Sequence, residues 1–283
     1  MKKKRMIVAT ITLSGLNIWA ATTIDPANKY TYGANIGWIN AEGDVANGAV
    51  IGQAFCSGDI YGANVGWIHL GNGAPVNGIA YANNAAADYG VNHDGLGNLT
   101  GYAYGANIGW INFEQTHGQP KVDLLTGALS GYAWGANVGW IGLAGVTTLT
   151  MGTGPDSDFD NIPDAWEYGH TNILTVLNGG DSDGDGISDI DEYAADTDPL
   201  DAGDYLVITD FQTYGTSNEV TWPVKITRVY TLQHASTLSN GMSWTTTSSS
   251  FIPSFGPDVT ETVPGVNDTN RFYRVQASPP LSP

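Results

Sequence analysis

The sequence predicts a mainly β protein in three parts: an N-terminal antiparallel β-hairpin repeat domain, a short acidic linker domain of loops and helices, and a small C-terminal β-sandwich. Three observations predict it. The phrase Tyr/Trp-Gly-Ala-Asn-Ile/Val-Gly-Trp is written four times before residue 150. Residues 151–204 hold 15 of the 28 acidic residues and neither Lys nor Arg. Beyond residue 205, short apolar–polar runs alternate with Gly, Asn and Pro turns, the pattern of half-buried strands.

The chain opens MKKKRMIVATITLSGLNIWAATT. A cationic start, a short apolar run and small residues make up a secretory signal peptide, here residues 1–21 with cleavage near Ala20 or Ala21. The apolar run is broken by Thr, Ser, Gly and Asn and is too short to span a bilayer well. The remaining chain of about 262 residues is expected to be secreted, extracellular or at the cell surface, with no membrane insertion after cleavage. Cys56 is the only cysteine, so no disulfide forms within the chain and other forces must hold its weaker parts. Loss of Lys2, Lys3, Lys4 and Arg5 leaves six basic residues against 28 acidic ones, a formal net charge near −22. Nucleic acid is therefore not expected as a partner, since phosphate binding is dominated by Lys and Arg.

Residues 22–150 carry the repeats: YTYGANIGWIN from Tyr30, IYGANVGWIHL from Ile60, GYAYGANIGWINF from Gly101 and GYAWGANVGWIGL from Gly131. Each reads as two short strands around a Gly-Ala-Asn-Ile/Val-Gly turn, in which Gly and Asn tolerate positive φ. The first glycines, Gly33, Gly62, Gly105 and Gly135, are 29, 43 and 30 residues apart, so the long gap holds an insertion, residues 77–92. A further strand is expected before the third and fourth copies, and CSGDI is expected to lengthen the hairpin connection of the second. Along the third copy Leu99, Gly101 and Ala103 share one face, and Tyr102 and Tyr104 the other. Both faces carry apolar residues, so the copies are expected to pack on one another. Whether they close into a ring or stack openly is left open. Trp38, Trp67, Trp110 and Trp140 fall at equivalent positions. They read either as a core between repeats, which the need for packing favours, or as a stacking platform for sugar rings.

In the acidic segment, DSDFDNIPDAWE (156–167) and DSDGDGISDIDE (181–192) both place acids at positions 1, 3, 5, 9 and 12 of a twelve-residue loop. Oxygen ligands at these positions, with a backbone carbonyl at 7, are the pattern of a calcium loop. Two Ca2+ ions are thus expected: one held by Asp156, Asp158, Asp160, the Ile162 carbonyl, Asp164 and Glu167, the other by Asp181, Asp183, Asp185, the Ile187 carbonyl, Asp189 and Glu192. Position 6, Asn161 or Gly186, must make a sharp turn.

The words IPDAWE, DSDGDGISDIDEY and TDPLD resemble thrombospondin type 3 repeats and their bacterial relatives over about residues 155–204. The resemblance implies calcium-binding loops with short helices, and Thr197, Asp198 and Pro199 as a turn able to add ligands; an array of only two loops departs from the family's long wire. Paired loop and helix units are also similar to dockerins, which bind cohesin partners, but the helix after Asp189 is cut short by Thr-Asp-Pro and lacks an apolar docking stripe. Gly-Tyr-Ala-Trp phrases are similar to those of secreted bacterial proteins, a resemblance that brings no activity with it.

Residues 205–283 read as strands YLVITDF, EVTWPV, RVYTLQHAS, SWTTTSSSFI, VTETVPG and RFYRVQA. The order of Trp222, Tyr230 and Tyr273 is similar to a fibronectin type III sandwich, with these three in its core. No catalytic pattern stands out: the five His are scattered, and neither a His-Glu-x-x-His word nor a Gly-x-Ser-x-Gly elbow is written. The sequence reading is a secreted, calcium-stabilised, non-catalytic surface or matrix adhesion protein. The alternative is a carbohydrate-binding protein using the repeated Trp, and in either case the partner is an extracellular protein or glycan.

Overall fold

The computed structural model describes residues 22–44, 46–173, 180–237, 243–264 and 271–282. The expected signal peptide, 1–21, lies outside the described residues. The chain is mainly β, as the sequence predicts, and forms two compact units: Gly15–Asn178 with Leu281–Pro283, and Gly179–Pro280. The division falls inside the 151–204 segment, so the first acidic loop belongs to one unit and the second to the other.

The first unit holds strands β1 (Ile24–Gly33), β2 (Gly37–Asn40), β3 (Gly58–Gly62), β4 (Gly66–Gly71), β5 (Val91–His93), β6 (Leu99–Gly105), β7 (Gly109–Phe113), β8 (Lys121–Val122), β9 (Leu129–Ser130), β10 (Tyr132–Gly135), β11 (Gly139–Gly142) and β12 (Val146–Thr148), followed by helix α1 (Asp164–Thr171). The four repeats are the hairpins β1–β2, β3–β4, β6–β7 and β10–β11. Each pairs antiparallel with the next, and β11 returns to β1, so eight strands close into a barrel. The ring closes without a free edge, which removes the template for edge-to-edge association. The extra strands expected before the third and fourth copies are β5, paired with β6, and the β8–β9 ladder.

The four hairpins are near-copies in detail. Gly37, Gly66, Gly109 and Gly139 all sit at φ of 78–80°, where a side chain is strained. The turn asparagines form a cycle: Asn64 Nδ2 donates to the Ile36 carbonyl, Asn107 to Val65, Asn137 to Ile108, and Asn35 back to Val138, all at 2.9–3.0 Å. Each asparagine thus ties its own turn to the preceding repeat. The second copy has the same turn, Gly62 opposite Gly66. CSGDI therefore does not lengthen the connection: its residues precede the turn and lead into β3.

Inside the barrel, Ile39, Ile68, Ile111 and Ile141 are buried, and Ile36, Val65, Ile108 and Val138 close the turn end. Small residues make room for them. A Cβ added to Gly33, Gly62, Gly105 or Gly135 would lie 2.6–2.7 Å from the Ile or Val of its own turn. This tightness overturns the core reading of the tryptophans. Trp38, Trp67, Trp110 and Trp140 are 65, 47, 46 and 41% exposed. The interior is filled by isoleucine, and strand alternation turns the indole beside each one outward. What a copy receives from its neighbour is a strand edge, not a cover for its aromatic face.

The second unit holds helix α2 (Asp189–Ala195) and strands β13 (Asp210–Tyr214), β14 (Ser217–Pro223), β15 (Val229–Ala235), β16 (Thr245–Thr246), β17 (Asp258–Pro264) and β18 (Phe272–Ser278). They make two three-stranded sheets, β13–β14–β17 and β16–β15–β18. Trp222, Tyr230 and Tyr273 share one buried core with Val220, Leu232, Val263 and Val275. The first strand starts at Asp210 rather than Tyr205, and only Thr245–Thr246 of the long Ser-Thr run is strand.

Candidate functional site

The two acidic loops share most of their hydrogen bonds and differ at position 5, whose amide donates to Asp156 Oδ1 in the first loop and to Asp183 Oδ1 in the second. Asp156 Oδ1 accepts from the Phe159 amide at 2.7 Å and Oδ2 from Asn161 at 2.9 Å. Asp181 does the same with Gly184 at 2.8 Å and Gly186 at 3.0 Å. Asp160 and Asp185 cap the amides of Ile162 and Ile187. The expected sharp turn at position 6 is present, with Asn161 at φ 75° and Gly186 at φ 95°. Sequence reasoning missed a second positive φ at position 4, where Gly184 is matched by Phe159 at φ 65°. The glycine of the second loop was the available signal.

Asp156, Asp158 and Asp160 bring carboxylate oxygens within 4.8 Å of one another, and so do Asp181, Asp183 and Asp185. Oxygens on opposite sides of a calcium ion with ligand distances of about 2.4 Å lie at about that separation. The position-12 glutamates come from the helices: Glu167 on α1 and Glu192 on α2 are both fully buried. Asp183 Oδ2 and Glu192 Oε2 are buried with no hydrogen-bond partner. Buried acceptors facing like charges fit a cation. Burial, reinforced by Asp183, Asp185 and Asp189, pushes the Glu192 carboxyl up to about 8. Carboxylates about 4 Å apart repel by roughly 4 kcal/mol at an effective dielectric near 20.

Asp164 and Asp189, at position 9, are occupied differently. Asp164 accepts from the Ser157 amide and hydroxyl at 2.7 and 2.6 Å, and Asp189 from those of Ser182 at 2.9 Å each. Both carboxylates clamp the loop entrance, which suits a position that often reaches calcium through water. Ile162 is buried, while Ile187 is half-buried. Thr197 Oγ1 donates to Glu192 Oε1 at 3.3 Å, so the Thr-Asp-Pro turn touches the second site through its threonine.

The second loop is also anchored to its β unit. Buried Arg228 donates to the Tyr193 carbonyl at 2.7 Å and pairs with Asp196 at 3.1 Å, and Lys225 pairs with Asp204 at 2.8 Å. Ala195 of α2 joins the core of Trp222 and Tyr230.

The other notable surface is the barrel exterior. Cross-strand registers arrange its outward side chains in four rows that each cross four strands. These are Tyr30–Asn40–Tyr61–Trp67, Asp59–His69–Tyr104–Trp110, Tyr102–Asn112–Trp134–Trp140 and Tyr132–Gly142–Tyr32–Trp38. Every row ends in an aromatic pair with ring centroids 4.9–5.3 Å apart. All eleven aromatics of the rows are exposed. Part of each ring is open to solvent, and three of the four rows place a hydrogen-bonding side chain second.

Cys56 is buried, and desolvation pushes its thiol up to about 12, so it is not a nucleophile at neutral pH. His93 is buried as a structural group, with Nδ1 donating to the Gly52 and Gln53 carbonyls at 3.0 and 2.9 Å and Nε2 accepting from the Gly97 amide at 3.0 Å. Among the described residues, no helix is long and apolar enough to cross a membrane.

The fold and sites define an antiparallel barrel of repeated hairpins, two acidic loop–helix units and a small two-sheet unit. Comparison with protein-family models, curated proteins and solved structures gives no match to this chain.

Proposed function

We propose that this chain is an exported, calcium-stabilised, non-catalytic binding protein of the cell surface or matrix, and that the barrel exterior is its binding face. The four exposed aromatic rows carry the reading. The barrel interior is occupied by buried isoleucine and valine side chains, while exposed rings repeated around a closed surface suit an extended, repetitive partner. Thrombospondin type 3-like loops supply the calcium: Asp156, Asp158, Asp160 and Glu167 would hold one ion and Asp181, Asp183, Asp185 and Glu192 the other, with the Ile162 and Ile187 carbonyls. The ions neutralise charge that short helices cannot offset by burial. They serve stability, and no chemical step is assigned to them. The leader and the acidic surface support export and disfavour nucleic acid.

A glycan partner is favoured over a protein one by the exposure of all four indoles, since flat aromatic faces bind the apolar faces of sugars. The test is electrophoresis of the leaderless protein through gels containing neutral polysaccharides, next to a variant with Trp38, Trp67, Trp110 and Trp140 changed to Ala. Retardation of the parent alone supports the reading. Equal mobility of both proteins in every gel rejects it.

A further inference from the structure

The four rows are not equal. The insertion before the third repeat brings Tyr89 onto the row Asp59–His69–Tyr104–Trp110. Its ring meets Trp110 at 4.8 Å and 88°, His69 at 5.9 Å and 72°, and Tyr104 at 6.3 Å and 72°. The neighbouring backbone is fixed, because the Gly90 carbonyl accepts from the Tyr102 amide at 3.0 Å. Two ring planes at a right angle form a corner, and Trp110 remains 46% exposed within it. In the same row, Asp59 Oδ1 and His69 Nδ1 lie 2.9 Å apart, and both side chains are about one-third exposed. No other row among the described residues has an aromatic from outside the hairpins against it, or an acid and an imidazole in its first two places.

We propose that this row is the principal subsite of the barrel and that it takes a short stretch of an uncharged pyranose chain. The inference rests on the glycan reading above and narrows it. Trp110 offers the stacking face and Tyr89 the wall that fixes the direction of the chain. Asp59 and His69 offer an acceptor and a ring nitrogen side by side for neighbouring hydroxyls. From Asp59 to Trp110 the row crosses three strand spacings, about 14 Å, which suits several linked sugars rather than one. An anionic polymer is disfavoured, because the chain without its leader carries 28 acidic residues against six basic ones. The row is also a poor lipid anchor, since Asp59 and His69 sit where a membrane-facing surface needs apolar groups.

The experiment is titration calorimetry of the leaderless protein with a panel of neutral hexasaccharides of different linkage, using the parent, Tyr89→Ala, Asp59→Asn, Trp110→Ala, Trp110→Tyr and Trp38→Ala. Thermal melts check that each variant is folded. At least one hexasaccharide should bind the parent. Tyr89→Ala and Trp110→Ala should weaken it about tenfold or more, Asp59→Asn by several-fold, Trp110→Tyr should recover much of the loss, and Trp38→Ala, in a lesser row, should weaken it clearly less than Trp110→Ala does. Folded Tyr89→Ala or Trp110→Ala protein that binds like the parent overturns the assignment. So does an equal loss for Trp38→Ala, although polysaccharide retardation would then leave the wider reading standing. Failure of every hexasaccharide together with unretarded migration in every gel removes both. Binding to neutral lipid vesicles that Trp110→Ala abolishes, without any sugar binding, also overturns the proposal.

Discussion

The barrel and the acidic loops answer the same problem, a chain without disulfides, in opposite ways. In the barrel every repeat gives its apolar face to one interior, its edges to its neighbours and its asparagine to the turn before it. Nothing external is required. In the loops, Glu167, Asp164, Asp189 and Glu192 are buried within short stretches dense in like charge. Hydrogen bonds to serine and backbone amides shape those loops, but do not neutralise them. Closure by covalent repetition makes one region self-sufficient, while on the reading proposed above the other depends on a cation.

The largest expected effects lie in the barrel interior. Ile111→Ala should cost about 2–5 kcal/mol in urea unfolding, because the lumen is tightly filled and a cavity cannot collapse in a closed ring. The cost should be the same with and without calcium. Gly109→Ala, at φ 78°, should cost about 1–2 kcal/mol for its backbone conformation alone. Next come the loops. Calcium at ten times its dissociation constant should stabilise by about 1.4 kcal/mol per site, read as a rise in melting temperature that chelator reverses. Glu192→Gln should remove one of two bound ions in titration calorimetry, and Asp156→Ala the other. Because α2 is tied through Arg228 and Ala195, the loss at Glu192 should lower the melting of the Gly179–Pro280 unit itself.

Smaller effects sharpen the contrast. Asn107→Ala breaks one link of the asparagine cycle and should cost about 1 kcal/mol. His93 supplies a pH dependence that belongs to the barrel. Burial holds its pKa below the ordinary 6.5. As pH falls below 6.5 the unfolded chain takes up the proton first, so the barrel loses stability on going down toward the folded-state pKa. His93→Gln should flatten that slope as the pH is lowered through the ordinary histidine range in urea melts. Least of all, Trp38→Ala should change stability within about 0.5 kcal/mol. A loss near that of Ile111→Ala would mean that the indole is packed after all.

Local features were legible in the sequence, and closure was not. The hairpin turns and the acidic loop pattern depend on residues within a dozen positions, and both acidic loops make the sharp turn expected at position 6. Ring closure depends on Gly33 meeting Ile141, far apart in the chain, and no local pattern announces that the first and last hairpins pair. Because both faces of each hairpin are apolar, the sequence alone favours the wrong side for the tryptophans. The informative residues were Gly33, Gly62, Gly105 and Gly135 on the isoleucine face: small side chains there signal a crowded interior, which leaves the outside for the indoles. The exposed rows were hidden for the same reason, since each joins residues from two different hairpins.

Hydrogen exchange of residues 22–283, followed amide by amide in calcium and after chelation, tests this division most directly. The amides of Phe159, Asn161, Gly184 and Gly186, which donate to Asp156 and Asp181, and those of α1 and α2 should lose protection when calcium is removed. Those of Ile39, Ile68, Ile111 and Ile141 should keep theirs. Protection that is unchanged in the loops, or that falls in the barrel strands to the same extent, would contradict the account.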